Sequence, residues 1–294
     1  MAWAIQNSGT AQNLRAVWAV DANTAYAVGD AGTTLRTVNG GANWNAVPHA
    51  NYTNNMNGVC FASAASGWIA ASGGLIMKWD AANAKWILDH IINGALFRGV
   101  HALLIGATNH GLVVGDNGTV EALTSGVWSS KNHSGNPMLR GVSIATNVTG
   151  FEGWACGNPQ NPSTSGQLSY YTGTWQAYTS YPAPFNGVCL VTKDLGWCCG
   201  NSGKIYKKLV GTTWNSQSTP PGTGKLNGIS MLSDGQQGCC VGDLGTLLWC
   251  TGGGTWTSMP YPGGTPYPNL NGVHFRSANL GWAVGNAGTI LKYT

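Results

Sequence analysis

Charge is what this 294-residue sequence has least of: charged residues make up 8% of it, well below the roughly 25% usual for a soluble domain. Its 14 basic and 10 acidic residues leave a net charge of +4, and the densest basic group is Lys207–Lys208 with Lys204 nearby. Nucleic-acid binding through phosphate neutralisation is therefore not expected. Only two glutamates occur, and the Ala-, Glu- and Lys-rich runs of solvated helices are missing. No stretch approaches the roughly 20 apolar residues of a membrane span, and Met1–Gly9 lacks the basic and apolar regions of an export signal, so no membrane insertion is expected. The eight cysteines include no pair of Cys-x-x-Cys segments. That argues against a zinc site and against a disulfide framework, and no metal or cofactor is predicted.

What is abundant is glycine, 44 residues, together with 14 tryptophans spread evenly along the chain. Such a composition suits many short strands joined by tight turns. The C-terminal segment from Asn271 to Thr294 serves as a template, and its first Val or Ile recurs at Val17, Val59, Val100, Val142, Val188, Ile229 and Val273. A period of this size is that of four-stranded propeller blades. A second marker recurs independently at Trp44, Trp86, Trp128, Trp175, Trp214 and Trp256, each after a turn-rich segment. The seventh repeat stops at Thr294 without one, but Trp3 stands at the start of the chain. The prediction is an all-β, seven-bladed propeller of four-stranded antiparallel blades, closed by the N-terminal strand completing the C-terminal blade. A single domain, 1–294, would hold blades of about 13–53, 54–94, 95–136, 137–182, 183–222, 223–267, and 268–294 plus 1–8.

Within a repeat, strand A is expected to begin at the Gly-Val pair, strand B to end in glycine as in Trp282-Ala-Val-Gly285, and strand D to start at the recurrent Trp. The B-to-C turns, such as Gly285-Asn286-Ala287-Gly288, hold Gly and Asx residues that tolerate positive φ. Gly281–Ile290 resembles the repeats of the photosystem II stability/assembly-factor propellers. The turn from Thr37 to Trp44 is similar to the Asp-box of bacterial-neuraminidase repeats, with Asn39 at the usual Asp position. The resemblance implies the fold strongly and the function weakly. The assembly factors bind nascent membrane-protein subunits, a role that would require an export signal.

The D-to-A and B-to-C connections emerge on one face, and that face carries the longer loops. Tyr52, Tyr178, Tyr181, Tyr261 and Tyr267 lie there among prolines, offering apolar rings with polar tips to a protein or a sugar, or simply covering the blade edges. The residue two before the strand A Val is Arg15, Asn57, Arg98, Arg140, Asn186, Asn227 or Asn271. This ring should surround the channel mouth, where it could hold a carboxylate or sulfate or could hydrogen-bond the adjacent loops. A second ring, Asp30, Ser72, Asp116, Asn158, Asn201, Asp243 and Asn286, reads as local turn chemistry. The cysteines fall at core positions, and such free thiols fit a reducing compartment. His101 and His274 share a strand A position and read as buried strand residues rather than ligands.

A sialidase-like hydrolase would need an acid and a Tyr–carboxylate pair beside its arginines. Glu121 falls in strand C, and Glu152, Asp21 and Asp194 in A-to-B connections, which leaves no carboxylate convergent with Arg15, Arg98 and Arg140 except the turn aspartates, and no catalytic residue is assigned. The sequence thus predicts a non-catalytic binding scaffold for a protein partner, and a monomer. A lectin-like glycan-binding module and a structural surface or virion component are the alternatives.

Overall fold

The computed structural model describes residues 2–147, 150–159, 164–176 and 179–294. Seven four-stranded antiparallel sheets follow one another as the blades of a propeller. Their inner strands are Leu14–Ala19, Met56–Ser63, Phe97–Ile105, Met138–Asn147, Phe185–Leu190, Leu226–Met231 and Leu270–Ser277. Each inner strand touches the next, and the first touches the last. In the seventh blade Trp3–Gln6 pairs antiparallel with Ile290–Tyr293, Trp3 opposite Tyr293, so the first residues of the chain supply its outer strand. Among the described residues there is no α-helix; short 3₁₀ turns join strands B and C in several blades.

Strand A starts about three residues earlier than the Gly-Val pair suggests. Leu14, Met56, Phe97, Leu139, Phe185, Leu226 and Leu270 occupy this entry position, and all are fully buried. Each is followed by a β-bulge, as between Leu14 and Ala16 or between Leu270 and Gly272. The extra residue in every case is a member of the predicted mouth ring. Beyond it lies a glycine, or Ala16 in blade 1. A Cβ on Gly99 would stand 3.0 Å from the Arg140 carbonyl oxygen, and one on Gly272 would stand 2.9 Å from that of Arg15. The small residue lets neighbouring inner strands close on the axis.

The buried apolar side chains divide into seven clusters, each drawn from two adjacent blades. Burial between blades is the main cohesive force, worth about 25 cal/mol per Å² of apolar surface removed from water. Near the axis the seams are stitched by hydrogen bonds. Ser143 Oγ accepts the Leu190 N–H and Ser230 Oγ that of Phe275, both at 3.0 Å. His101 Nδ1 accepts from Ile144 at 3.2 Å and His274 Nδ1 from Ala19 at 3.1 Å, while Cys189 Sγ receives the Met231 N–H. Both histidines are therefore strand residues turned to a neighbouring blade. They are half-buried where they line the channel rather than fully buried, and desolvation there, joined for His274 by the nearby His101 and Arg276, pushes their pKa values down to about 4 and about 3. The eight cysteines are free thiols, seven of them buried and Cys189 half-buried.

Farther out, carboxamide and carboxylate groups tie tryptophans together across seams. Gln6 Oε1 accepts from Trp282 and Trp44, and Asp89 Oδ2 from Trp68 and Trp128. The predicted Asp-box-like turn is wired through its side chains: Thr37 Oγ1 accepts the Gly41 N–H at 2.8 Å, and Asn39 Oδ1 that of Asn43 at 3.0 Å.

Candidate functional site: the channel mouth and loop face

The D-to-A loops and B-to-C turns meet on one face, joined by backbone hydrogen bonds such as Gly32 N–H to Asn54 O and Gly118 N–H to Pro137 O. The turn chemistry differs from the sequence expectation. The glycine ending strand B is extended, with φ −164° at Gly29, and it is small because a Cβ would lie 2.1 Å from the Asn13 carbonyl oxygen. The left-handed residues are the last two of the turn, Ala31 and Gly32 in blade 1, and the Asx residue before them is not left-handed. That Asx side chain is instead committed to the mouth ring.

The two rings seen separately in the sequence pair with each other. Arg15 Nε donates to Asp30, Arg98 forms a two-point pair with Asp116, and Arg140 Nε donates to Asn158 Oδ1 at 3.3 Å. Asn57 donates to Ser72, Asn186 to Asn201, Asn227 to Asp243 and Asn271 to Asn286. Each of these asparagines uses its second N–H on a carbonyl of the next blade, for example Asn186 to Leu226 O at 2.7 Å. The ring amides are therefore engaged in fastening blades, and local turn chemistry was too narrow an account of the second ring. The signal for this pairing was present in the near-constant separation of the two positions, 15 to 18 residues in every repeat.

All seven ring residues line one cavity of about 270 Å³ at the channel mouth, joined by Asn13, Asn286 and Lys225. Lys225 was missed in the sequence because it belongs to neither ring. Among the described residues, Arg140 and Lys225 have no carboxylate partner, whereas Arg15 and Arg98 are paired. Desolvation, with Arg98 close by, pushes the Arg140 guanidinium pKa below its ordinary value. The mouth thus holds one partly dried guanidinium, that of Arg140, with the exposed Lys225 ammonium at its rim, and an anion gains most from the first. Beneath it, Trp18 lies in the channel, stacked on His274 at 4.1 Å and edge-on to His101 at 5.7 Å.

The loop tyrosines do not converge. Tyr52 lies beside His49, and Tyr181 packs on Phe185 and Tyr206 at the core edge. Tyr261 and Tyr267 face each other at 5.4 Å and line a separate cleft. Tyr178 lies outside the described residues, as do 160–163 of the predicted insertion.

Neither glutamate lines the mouth. Glu152 lies in strand B rather than in a connection, and accepts the Tyr170 hydroxyl at 2.7 Å. Glu121 is buried, accepts from Ser130 Oγ and stands 3.4 Å from His90 Nε2. The serine is turned to the carboxylate and not to the imidazole, so this trio lacks a nucleophile–base contact.

The seven-bladed ring has clear structural counterparts. The chain is similar in fold to YCF48 bound to D1 peptide, with a TM-score of 0.74 and 17% identity, covering 100% of this chain and 97% of that one. YCF48 from Cyanidioschyzon merolae gives 0.72 and 16% over 100% and 99% of the two chains. The WD40 β-propeller domain of Doa1 gives 0.76 and 11% over 99% and 97%. At these identities the likeness is one of fold. It agrees with the assembly-factor-like propeller expected from the repeats. No protein-family model matches the chain, and no curated protein matches it in sequence.

Proposed function

We propose that this chain is a non-catalytic binding scaffold that captures a protein partner on its loop face, with the channel mouth as the charged part of the site. The observation that carries the reading is the cationic mouth, in which Arg140 and Lys225 lack carboxylate partners among the described residues. Arg15 and Arg98 add to its field, although each is partly neutralised by its aspartate. The asparagines hold the ring rigid, and Tyr261 and Tyr267 supply the apolar contact beside it. A rigid, pre-formed site loses little entropy on binding, which favours an extended segment of a partner. A fold neighbour, YCF48, is seen bound to a peptide, which is consistent with such use of a propeller. Catalysis is not part of the reading: the carboxylates that reach the arginines, Asp30 and Asp116, are taken up in pairing them, and neither glutamate lines the mouth.

Asparagine occupies the same bulge in four blades, so it is the natural replacement for the three arginines. The triple variant Arg15→Asn, Arg98→Asn and Arg140→Asn should keep its unfolding midpoint, since asparagine reproduces the stitch, and lose partner capture in a cross-linked pull-down. Capture that survives the substitution would remove the mouth from the site. A glycan array in which wild type alone retains acidic sugars would replace the protein partner by a carbohydrate. Self-association in light scattering, without any captured partner, would favour a structural component.

A further inference from the structure

The B-to-C turn of blade 6 carries an unusual residue at its first left-handed position. The first left-handed position is Ala31, Gly73, Asn117, Ser202 or Ala287 in the other described turns, and Leu244 here, with φ +53°. Leucine is disfavoured in that conformation. The residue is also 75% exposed and belongs to none of the seven core clusters. A bulky apolar residue that is unfavourable in both backbone and solvation is the kind of outlier from which a binding role is inferred.

Two cavities flank this turn. On one side Asn227 Nδ2 holds Asp243, and Lys225 accepts the Asp243 N–H through its carbonyl and lines the cationic mouth. On the other side Leu244 borders a cleft of about 260 Å³ walled by Pro221, Met259, Tyr261 and Tyr267. The cleft is a built feature. Gly245 is left-handed, and a Cβ there would stand 2.9 Å from Tyr267 Cβ and 3.0 Å from the Tyr261 ring. Asn269 Oδ1 fixes the Leu244 N–H at 3.0 Å, so the leucine is presented on a rigid tip. The cleft has room for a large side chain rather than a helix.

We propose that this turn is the anchor point for an extended acidic-and-apolar peptide segment, whose carboxylate side chain meets Arg140 and Lys225 while a following or preceding aliphatic or aromatic side chain enters the Leu244–Tyr261–Tyr267 cleft. This deepens the binding-scaffold reading and rests on it. Charge complementarity selects the acidic residue, since the mouth beside the turn holds two cations without carboxylate partners among the described residues. Exposed leucine and tyrosine surface, which a partner would take out of water, selects the apolar one.

The test is selection of a display library of short linear peptides on the full chain, followed by titration of the enriched synthetic peptides. Wild type is expected to enrich peptides that combine Asp or Glu with a large apolar residue. Leu244→Gly suits the left-handed turn and keeps the fold. Together with Tyr267→Ala it should weaken those peptides about tenfold or more, and Arg140→Asn should weaken them independently. Enriched acidic peptides that depend on Arg140 but bind the Leu244→Gly/Tyr267→Ala chain unchanged would overturn the anchor and leave the scaffold reading standing. Absence of any enrichment on wild type would overturn both.

Discussion

At the bulge of strand A, a single backbone irregularity lets two chemically different residues serve one geometry. The bulge turns the side chain toward the axis, and asparagine there has two donors, one for its own turn and one for the next blade. Arginine reaches the same turn residue but brings a charge that asparagine does not, and only Arg140 meets a neutral partner, Asn158. A similar economy governs Asp89, whose one oxygen receives the indole N–H groups of Trp68 at 3.1 Å and Trp128 at 2.7 Å across the seam between blades 2 and 3. Asp89→Ala should lower stability by about 1–2 kcal/mol, because two buried indoles lose an acceptor while the carboxylate itself is largely solvated. Asp89→Asn, which keeps an acceptor oxygen, should cost less. Urea unfolding followed by tryptophan fluorescence measures both, and equal stability of Asp89→Ala and wild type would show that water replaces the carboxylate. The sequence marks these tryptophans clearly by their period. It does not mark Asp89, since the same position three beyond the strand D Trp is Gln6 in blade 7 and Val47 in blade 1.

The B-to-C turn shows how much of an element is legible from its letters. Its glycines announce a tight turn, but not which of them needs a left-handed backbone and which needs only to be small. Gly285 is the close-approach glycine, with a Cβ that would meet the Asn269 carbonyl oxygen at 2.3 Å, while Ala287 and Gly288 have φ of +51° and +69°. Opposite outcomes follow for neighbouring residues. Gly288→Ala places a Cβ 1.9 Å from the Thr10 carbonyl oxygen in a left-handed backbone, and should destabilise by more than about 2 kcal/mol. Ala287→Gly relieves a disfavoured conformation and should stabilise by up to about 1 kcal/mol. Thermal unfolding of the two variants distinguishes them, and a shift of the same sign in both would refute the assignment. The bulge was invisible for a related reason. It inserts a residue without disturbing the apolar spacing that follows, so the Gly-Val pair looked like the strand's beginning although the buried Leu, Met or Phe before it is the true entry.

For the whole molecule, closure and seam chemistry set the stability. Trp3 is buried against Phe275 and Tyr293 and carries the strand that completes blade 7. Trp3→Ala should cost about 3–5 kcal/mol and leave an edge on which chains pair, seen as earlier unfolding and as dimers in size-exclusion chromatography. Seven repeats and this closure could be counted in the sequence because each blade repeats the same letters. The hydrogen bonds joining the blades could not, because His, Ser and Cys perform one task at one position. That equivalence yields a pH dependence of definite sign. His101 and His274 accept a backbone N–H from the next blade through Nδ1, and desolvation in the channel, with His101 and Arg276 also repelling a proton from His274, depresses their pKa values to about 4 and about 3. In the unfolded chain both titrate near 6.5. Between those limits the unfolded state binds protons that the folded state refuses, so stability is fully present above about pH 6.5 and falls as the pH drops toward 4. Ser143 and Ser230 show that serine makes the same bond. The double variant His101→Ser and His274→Ser should therefore remain folded at pH 7 and show a flatter urea midpoint between pH 6.5 and 4. A slope identical to wild type would place the acid sensitivity outside these seams.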